Sequence, residues 1–229
     1  MHILAADTSG RNGSLALARV HEDADRGSTE ELDILEVVPL EGGTFSAQLV
    51  PQVSSLLTKH GLSKQDIGGF AVASGPGSFT GLRVGLAAIK ALAEILQKPI
   101  AAVSLLEAVA RGGKSRGKVV SALNAGRGEV YAGEYEVGTG VRMLSERLVT
   151  RAELIAEARG CVLVTPDPGL ADLARGSGQE TEEVAQPRSD VIARLGWEKI
   201  QSGETIPPEE LEANYIRRSD AEIFAKSGS

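Results

Sequence analysis

Gly69-Phe70-Ala71-Val72-Ala73-Ser74-Gly75-Pro76-Gly77-Ser78-Phe79-Thr80-Gly81-Leu82-Arg83-Val84-Gly85 is the most informative run of this 229-residue chain. Gly69–Ala73 reads as a buried strand and Gly75–Gly81 as a glycine-rich turn. From Leu82 onward the pattern is a long helix, with Leu82, Leu86, Ile89, Ala93 and Leu96 on one stripe. Strand, glycine turn and helix in that order make an α/β unit, and the helix N-terminus is where backbone N–H groups can receive a phosphate. The details depart from the familiar nucleotide signatures. Leu82-Arg83 follow Gly81 where a P-loop needs Lys-Ser/Thr, and Thr80 stands where the dinucleotide fingerprint needs glycine. The plainer reading is a tight turn that lets helix and strand approach closely. Gly75 and Gly77 stay as candidate contacts for a weakly held ATP or ADP.

Upstream, Ile3–Ala6 and Ser14–Val20 flank the turn-forming cluster Ser9-Gly10-Arg11-Asn12-Gly13 and predict an opening β-hairpin. Asp7 lies at its rim. It is a further candidate for holding a metal–phosphate, and it equally suits an Asx-turn residue or a helix-facing carboxylate. His21–Glu31 reads as a loop and Leu32–Leu40 as a third strand. Leu49, Val53, Leu56 and Leu57 then recur at helical spacing, with Thr44 or Ser46 as N-cap and Gly61 as terminator. Pro51 inside that pattern predicts a later start or a kink.

Downstream, Pro99–Val103 is a strand, and Ser104 with Glu107 makes a capping box for a helix through Ala110. The Gly112–Lys118 loop is the expected boundary between an N-terminal lobe, 1–110, and a C-terminal lobe, 118–229. There Val119–Leu123, Val130–Val137 and Val141–Val149 predict strands, with Gly138-Thr139-Gly140 as a hairpin turn. Thr150 and Glu153 cap a helix ending near Gly160, Cys161–Val164 is a strand, and Val191, Ile192 and Leu195 share a later helix face. The tail from Pro207-Pro208 onward is irregular and free to pack back on the N-terminal lobe. Antiparallel strands followed by helix–strand alternation in each half point to two related α/β lobes.

Composition narrows the function. With 42% hydrophobic residues the chain can bury a core without disulfide or metal, and its one cysteine, Cys161, suits a reducing, cytoplasmic setting. Met1-His2-Ile3-Leu4 runs straight into polar residues, unlike a signal peptide, and no window approaches the length of a membrane span. A net charge of −7 opposes RNA binding by this chain alone; Arg111–Lys118 and Arg217-Arg218 are its only basic clusters. His2, His21 and His60 are isolated, so no metal site is expected. Ser74 and Ser78 lack the Gly-x-Ser-x-Gly setting and a nearby histidine, so no catalytic residue is assigned. Gly81, Gly85 and Ala88 share one helix face, where a close-packed neighbour is needed to offset the helix-weakening glycines. That neighbour is either the chain's own sheet or a helix of another chain.

Taken together, these residues resemble the bacterial TsaB (YeaZ) family. Ile3-Leu4-Ala5-Ala6-Asp7-Thr8-Ser9, the run Ser74–Gly85, Val103-Ser104-Leu105-Leu106, Ala125-Gly126-Arg127-Gly128-Glu129-Val130-Tyr131 and Asn214-Tyr215-Ile216-Arg217 carry the resemblance. It implies an actin-like (ASKHA) fold of two RNase-H-like lobes, with mixed sheets flanked by helices. It also implies a role in making threonylcarbamoyladenosine next to the anticodon of tRNAs. In that pathway a TsaD paralogue carries the metal and transfers the carbamoyl group, TsaE is an ATPase, and TsaB supports TsaD, typically through its first two helices. The resemblance therefore implies a non-catalytic subunit with TsaD-type and TsaE-type partners and tRNA reached only through the complex; the competing readings are an independent small actin-fold ATPase or peptidase-like enzyme, and a self-associating module. It places Leu49, Val53, Gly81, Gly85 and Ala88 at a partner interface. Three departures stand out: Phe45 where relatives often carry histidine, Asn124 for a frequent aspartate, and Thr165-Pro166-Asp167-Pro168-Gly169 for a loop usually richer in glycine. The Asn124-Ala125-Gly126-Arg127-Gly128-Glu129 loop, in the place of a second phosphate loop, lacks the matching carboxylate.

Overall fold

In the computed structural model, which describes residues 1–23 and 29–217, the chain divides into two units. The first comprises Met1–Ser104 and Pro187–Ala213, the second Leu105–Gln186 and, of the described C-terminal residues, Asn214–Arg217. Arg218 and the Ile223-Phe224 pair lie outside the described residues, as does the middle of the stretch read as a loop at His21–Glu31. The ends of that stretch are strand, because the antiparallel pair Gly13–Asp23 and Thr29–Leu40 runs on beyond its apolar residues.

Unit 1 is a five-stranded sheet built from β1 (His2–Asp7), β2 (Gly13–Asp23), β3 (Thr29–Leu40), β4 (Ile67–Gly75) and β5 (Ile100–Ser104), ordered β3-β2-β1-β4-β5. β1, β2 and β3 pair antiparallel, while β1, β4 and β5 run parallel. Helices α1 (Phe45–Lys59) and α2 (Phe79–Leu96) cover one face. Leu4, Ala6, Leu15 and Leu17 of the sheet meet Leu49, Val53, Leu56 and Leu57 of α1 and Leu82, Leu86, Ile89 and Ala93 of α2 in one buried core. The expected α2 stripe is therefore its core stripe. Pro51 neither delays nor interrupts α1. It sits on the exposed side, where water can serve the carbonyl its missing N–H leaves unpaired.

The opposite face of this sheet is covered by α6 (Ser189–Ser202). A β-carbon on Gly196 of α6 would lie 2.3 Å from the Ala71 Cβ, so helix and sheet touch backbone to side chain there.

Unit 2 repeats the plan. Strands β6 (Gly117–Gly126), β7 (Glu129–Val137), β8 (Val141–Thr150), β9 (Val162–Thr165) and β10 (Thr181–Glu183) are ordered β8-β7-β6-β9-β10, with the first three antiparallel and β6, β9 and β10 parallel. Strand for strand this is the order of unit 1, as expected of two RNase-H-like lobes. Helix α3 (Leu105–Gly112) contributes Leu106, Val109 and Ala110 to a core with Val119, Tyr135 and Val137; α4 (Arg151–Glu157) and α5 (Pro168–Gly176) pack their Leu154, Leu170 and Ala174 into another. The capping box expected at Thr150 and Glu153 forms.

The lobe boundary departs from the expected Gly112–Lys118 loop. It falls at Ser104/Leu105, because α3 buries its apolar face on the strands of unit 2. Reciprocally, α6 comes after the last strand of unit 2 yet belongs to unit 1. Of the C-terminal tail, residues 207–213 belong to unit 1, with Leu211 in its core, and Asn214–Arg217 to unit 2.

The glycine-rich loop and the candidate partner surface

The β4–α2 loop closes on the chain's own first turn. Ser78 N–H donates to the Ser9 carbonyl at 2.6 Å, and Thr8 Oγ1 donates to the Gly81 carbonyl at 2.7 Å. The glycines exist for this approach. A β-carbon would lie 2.5 Å from the Ser9 carbonyl oxygen at Gly77, 2.1 Å from the Thr8 carbonyl oxygen at Gly81, and 2.3 Å from Thr8 Oγ1 at Gly85. Gly75 sits at φ +118°, a conformation that L side chains rarely adopt. Ser78 Oγ caps α2 by accepting from Gly81 N–H at 3.3 Å, and Ser74 Oγ donates to the Val103 carbonyl. Both serines of the loop are thus structural in their contacts.

Asp7 is 5% exposed and lies on the α6 face of the sheet by strand alternation with Ile3 and Ala5. Its Oδ1 accepts from Ser9 N–H at 2.9 Å and from Ser9 Oγ, an Asx turn that fixes the start of the β1–β2 connection. Burial pushes its carboxyl above the ordinary aspartate range, and the two Ser9 hydrogen bonds only partly oppose this. Its cross-strand neighbour Ser14 accepts from Ser189 N–H, the first residue of α6, at 3.0 Å.

The five residues expected at a partner interface are turned inward. Leu49 and Val53 are 1% and 5% exposed inside the core, Gly81 and Gly85 are filled by Thr8, and Ala88 is half-buried against the same core. Helical periodicity identifies a packed face correctly; its neighbour is this chain's own sheet and first turn. The outward faces carry different residues: Ala47, Val50 and Ser54 on α1, and Arg83, Ala87, Ala91, Glu94 and Ile95 on α2. Val50 is 56% and Ile95 71% exposed, and α1 carries no charged residue from Phe45 to Thr58. The uncharged outer face of α1, with Val50 exposed on it and Ile95 on the neighbouring helix, is unusual for a surface bathed only by water. At the N-terminal ends of α1 and α2 a cleft of about 680 Å³ opens between the β1–β2 turn, the β3–α1 loop and the start of α2.

In unit 2 the turn after β6 has three consecutive residues at positive φ, Gly126 (73°), Arg127 (53°) and Gly128 (80°). Asn124 clasps it, accepting from Gly126 N–H at 2.8 Å and donating to Asp167 Oδ2 at 3.2 Å. Asp167 also caps α5, accepting from Leu170 N–H at 3.0 Å. By sequence, Thr165–Gly169 reads as a loop and the Asn124–Glu129 loop has no matching carboxylate of its own. The structure supplies Asp167 there and begins α5 at Pro168. The signal that marks it is aspartate as N-cap directly before proline at the first helical position. Among the described residues no group of three or more His, Cys, Asp or Glu is placed to hold a metal ion.

Comparison with known proteins agrees with this geometry. The family model described as TsaD, tRNA N6-adenosine threonylcarbamoyltransferase, matches residues 37–172. The tRNA threonylcarbamoyladenosine biosynthesis protein TsaB of Bacillus subtilis is 32% identical, with 97% of this chain and 96% of that protein covered. Its Escherichia coli namesake is 29% identical over 96% of each. A Pseudomonas aeruginosa structure, described as an uncharacterized protein with similarity to peptidase YeaZ, superposes with TM-score 0.71 at 25% identity, covering 94% of this chain and 99% of that one. A full-length match to TsaB proteins, on two lobes of one repeated topology, places this chain in the TsaB (YeaZ) family.

Proposed function

We propose that this chain is a non-catalytic subunit in the biosynthesis of threonylcarbamoyladenosine in tRNA, supporting a TsaD-type transferase that it receives on the outer face of α1 and α2. The observation that carries the reading is that face: Val50 and Ile95 stand exposed on two neighbouring helices, and α1 is uncharged until Lys59. A second copy would compete for the same surface, which accommodates self-association before the partner arrives. A TsaE-type ATPase joins the complex elsewhere, and tRNA is held by the assembly, since a chain of net charge −7 repels a phosphate backbone. The assembly works in the cytoplasm; among the described residues no helix is long and apolar enough to cross a membrane.

Catalysis is assigned to the partner. Ser74 and Ser78 are engaged in structural hydrogen bonds, and the Gly75–Gly81 loop directs Ser78 N–H to Ser9. ATP or ADP contact by Asp7, Gly75 and Gly77 is correspondingly weak, poorer than about 0.1 mM for the isolated protein, or roughly −5.5 kcal/mol. The test is calorimetric titration of the host's TsaD-type protein against Val50→Asp and Ile95→Asp. Each should weaken binding at least about tenfold, as a buried unpaired charge at an interface does, while the melting temperature holds. Unchanged affinity in both variants would remove α1 and α2 from the interface.

A further inference from the structure

The cleft at the N-terminal ends of α1 and α2 adjoins the face just assigned to the partner, and its lining differs from the rest of the surface. Arg11 is the one formally charged residue that lines it, in a chain where acids outnumber Lys and Arg by 31 to 24. Several arginines and lysines around the two sheets are taken up in pairs: Lys59 with Glu36, Lys118 and Arg147 with Glu134, Arg217 with Glu129. Arg11 makes no such pair and no side-chain hydrogen bond among the described residues, and neither do the side chains of Asn12, Ser46 and Thr80 beside it in the lining. Besides Ser78, whose hydroxyl caps α2, the cleft thus gathers one guanidinium, one amide and two hydroxyls with no carboxylate to answer them.

The backbone behind Arg11 is held in place. A β-carbon at Gly42 would lie 1.8 Å from the Arg11 carbonyl oxygen, so the β1–β2 turn and the β3–α1 loop are packed as closely as two backbones allow. Phe45, 7% exposed, packs its ring within 2.9 Å of where a β-carbon on Gly13 would sit and so braces the same turn from below. A guanidinium on a fixed backbone loses less freedom on binding than one on a loose loop. Its planar fork matches a single carboxylate bidentately. A phosphate dianion would leave one of its charges unanswered by this lining.

We propose that the cleft is the docking point for a carboxylate side chain, an aspartate or glutamate of the TsaD-type partner, gripped by Arg11 with Ser46 and Thr80 alongside. The inference rests on the reading of α1 and α2 as the partner face and adds the chemistry of the contact at one end of it. It gives the helix face its register: aliphatic residues supply area, and the ion pair fixes which end of the partner helix meets which end of α1.

The experiment is a charge swap. Arg11→Glu should weaken binding of the host's TsaD-type protein by about 10- to 100-fold, and Arg11→Gln by less, with melting temperatures unchanged because Arg11 is exposed. Each aspartate and glutamate on the partner's docking helices is then changed to arginine and measured against Arg11→Glu. Restored affinity in one such combination identifies the carboxylate. Affinity within twofold of wild type for Arg11→Glu, while Val50→Asp still weakens binding, overturns this proposal and leaves the partner face standing. Loss of neither sinks both. Arg11-dependent binding of inorganic phosphate or ATP below 1 mM, or affinity loss in Arg11→Glu that no partner arginine rescues, would make the cleft something other than a carboxylate dock.

Discussion

A β-carbon at Gly85 has 2.3 Å to Thr8 Oγ1, and Thr8 cannot step aside because its hydroxyl is committed to the Gly81 carbonyl. Gly85→Ala is therefore an overpacking change, expected to cost about 1–3 kcal/mol and to lower the melting temperature by roughly 2–12 °C. The folded remainder should bind its partner as before. Melting and titration on one sample check both halves, and lost affinity without lost stability would return Gly85 to an interface. Asp7 gives a test that depends on pH. Its carboxyl titrates above the ordinary value near 3.8, so as pH rises the unfolded chain releases the proton first and wild-type stability falls until the folded carboxyl also ionises. Asp7→Asn keeps an oxygen for the Ser9 donors and carries no charge. It should be as stable as wild type at low pH and more stable at neutral pH; a variant less stable at both would mean the carboxylate itself is needed. The Asx turn at Asp7 is among the readings its sequence allows. Its burial is not legible there, because the helix that covers it starts at Ser189, near the other end of the chain.

Helix periodicity tells truly which residues of α1 and α2 are packed, yet not against what. Leu49 and Val53 repeat at core spacing, and the same spacing serves an interhelical seam, so the phase of the stripe alone cannot separate sheet from partner. Only the sheet's answering residues, Leu4, Ala6, Leu15 and Leu17, decide it. In α5 the failure is different in kind: Pro166-Asp167-Pro168-Gly169 satisfies the rules for a turn and those for a helix start together. Asp167→Ala separates its roles. It removes the acceptor for Leu170 N–H and the partner of Asn124, and should destabilise unit 2 by about 0.5–2 kcal/mol. Hydrogen exchange should show faster opening confined to α5 and the Gly126–Gly128 turn; faster exchange across β6, β7 and β9 as well would give Asp167 a wider role.

The repeated strand order is foreshadowed by the alternation of antiparallel and helix–strand segments in each half. The boundary is not, since Gly112–Lys118 has the composition of a linker while α3 has the apolar face that unit 2 needs. Cutting at that linker has a measurable outcome. A fragment 1–110 lacks α6 and leaves Ile3, Ala5 and Ala71, all fully buried in the intact chain, facing water. It should aggregate or remain unfolded by circular dichroism. Residues 1–104 joined to 187–213 through a short flexible linker restore the covering helix and should fold cooperatively. A well-folded 1–110 fragment would show that α6 is dispensable.

That exchange of α3 and α6 also sets a clock for synthesis. Chains leave the ribosome from the N-terminus, and lobes ordinarily mature in the same order. Here the first-made sheet must wait, one face bare, until Pro187–Ala213 has been translated, whereas all five strands of the second sheet and α3 have already emerged by then. The nascent protein thus has every strand of its later-encoded sheet in hand, short only of the segment from Asn214, while its earlier sheet is still half bare, and for that interval the half that carries α1 and α2 is the half most in need of a chaperone.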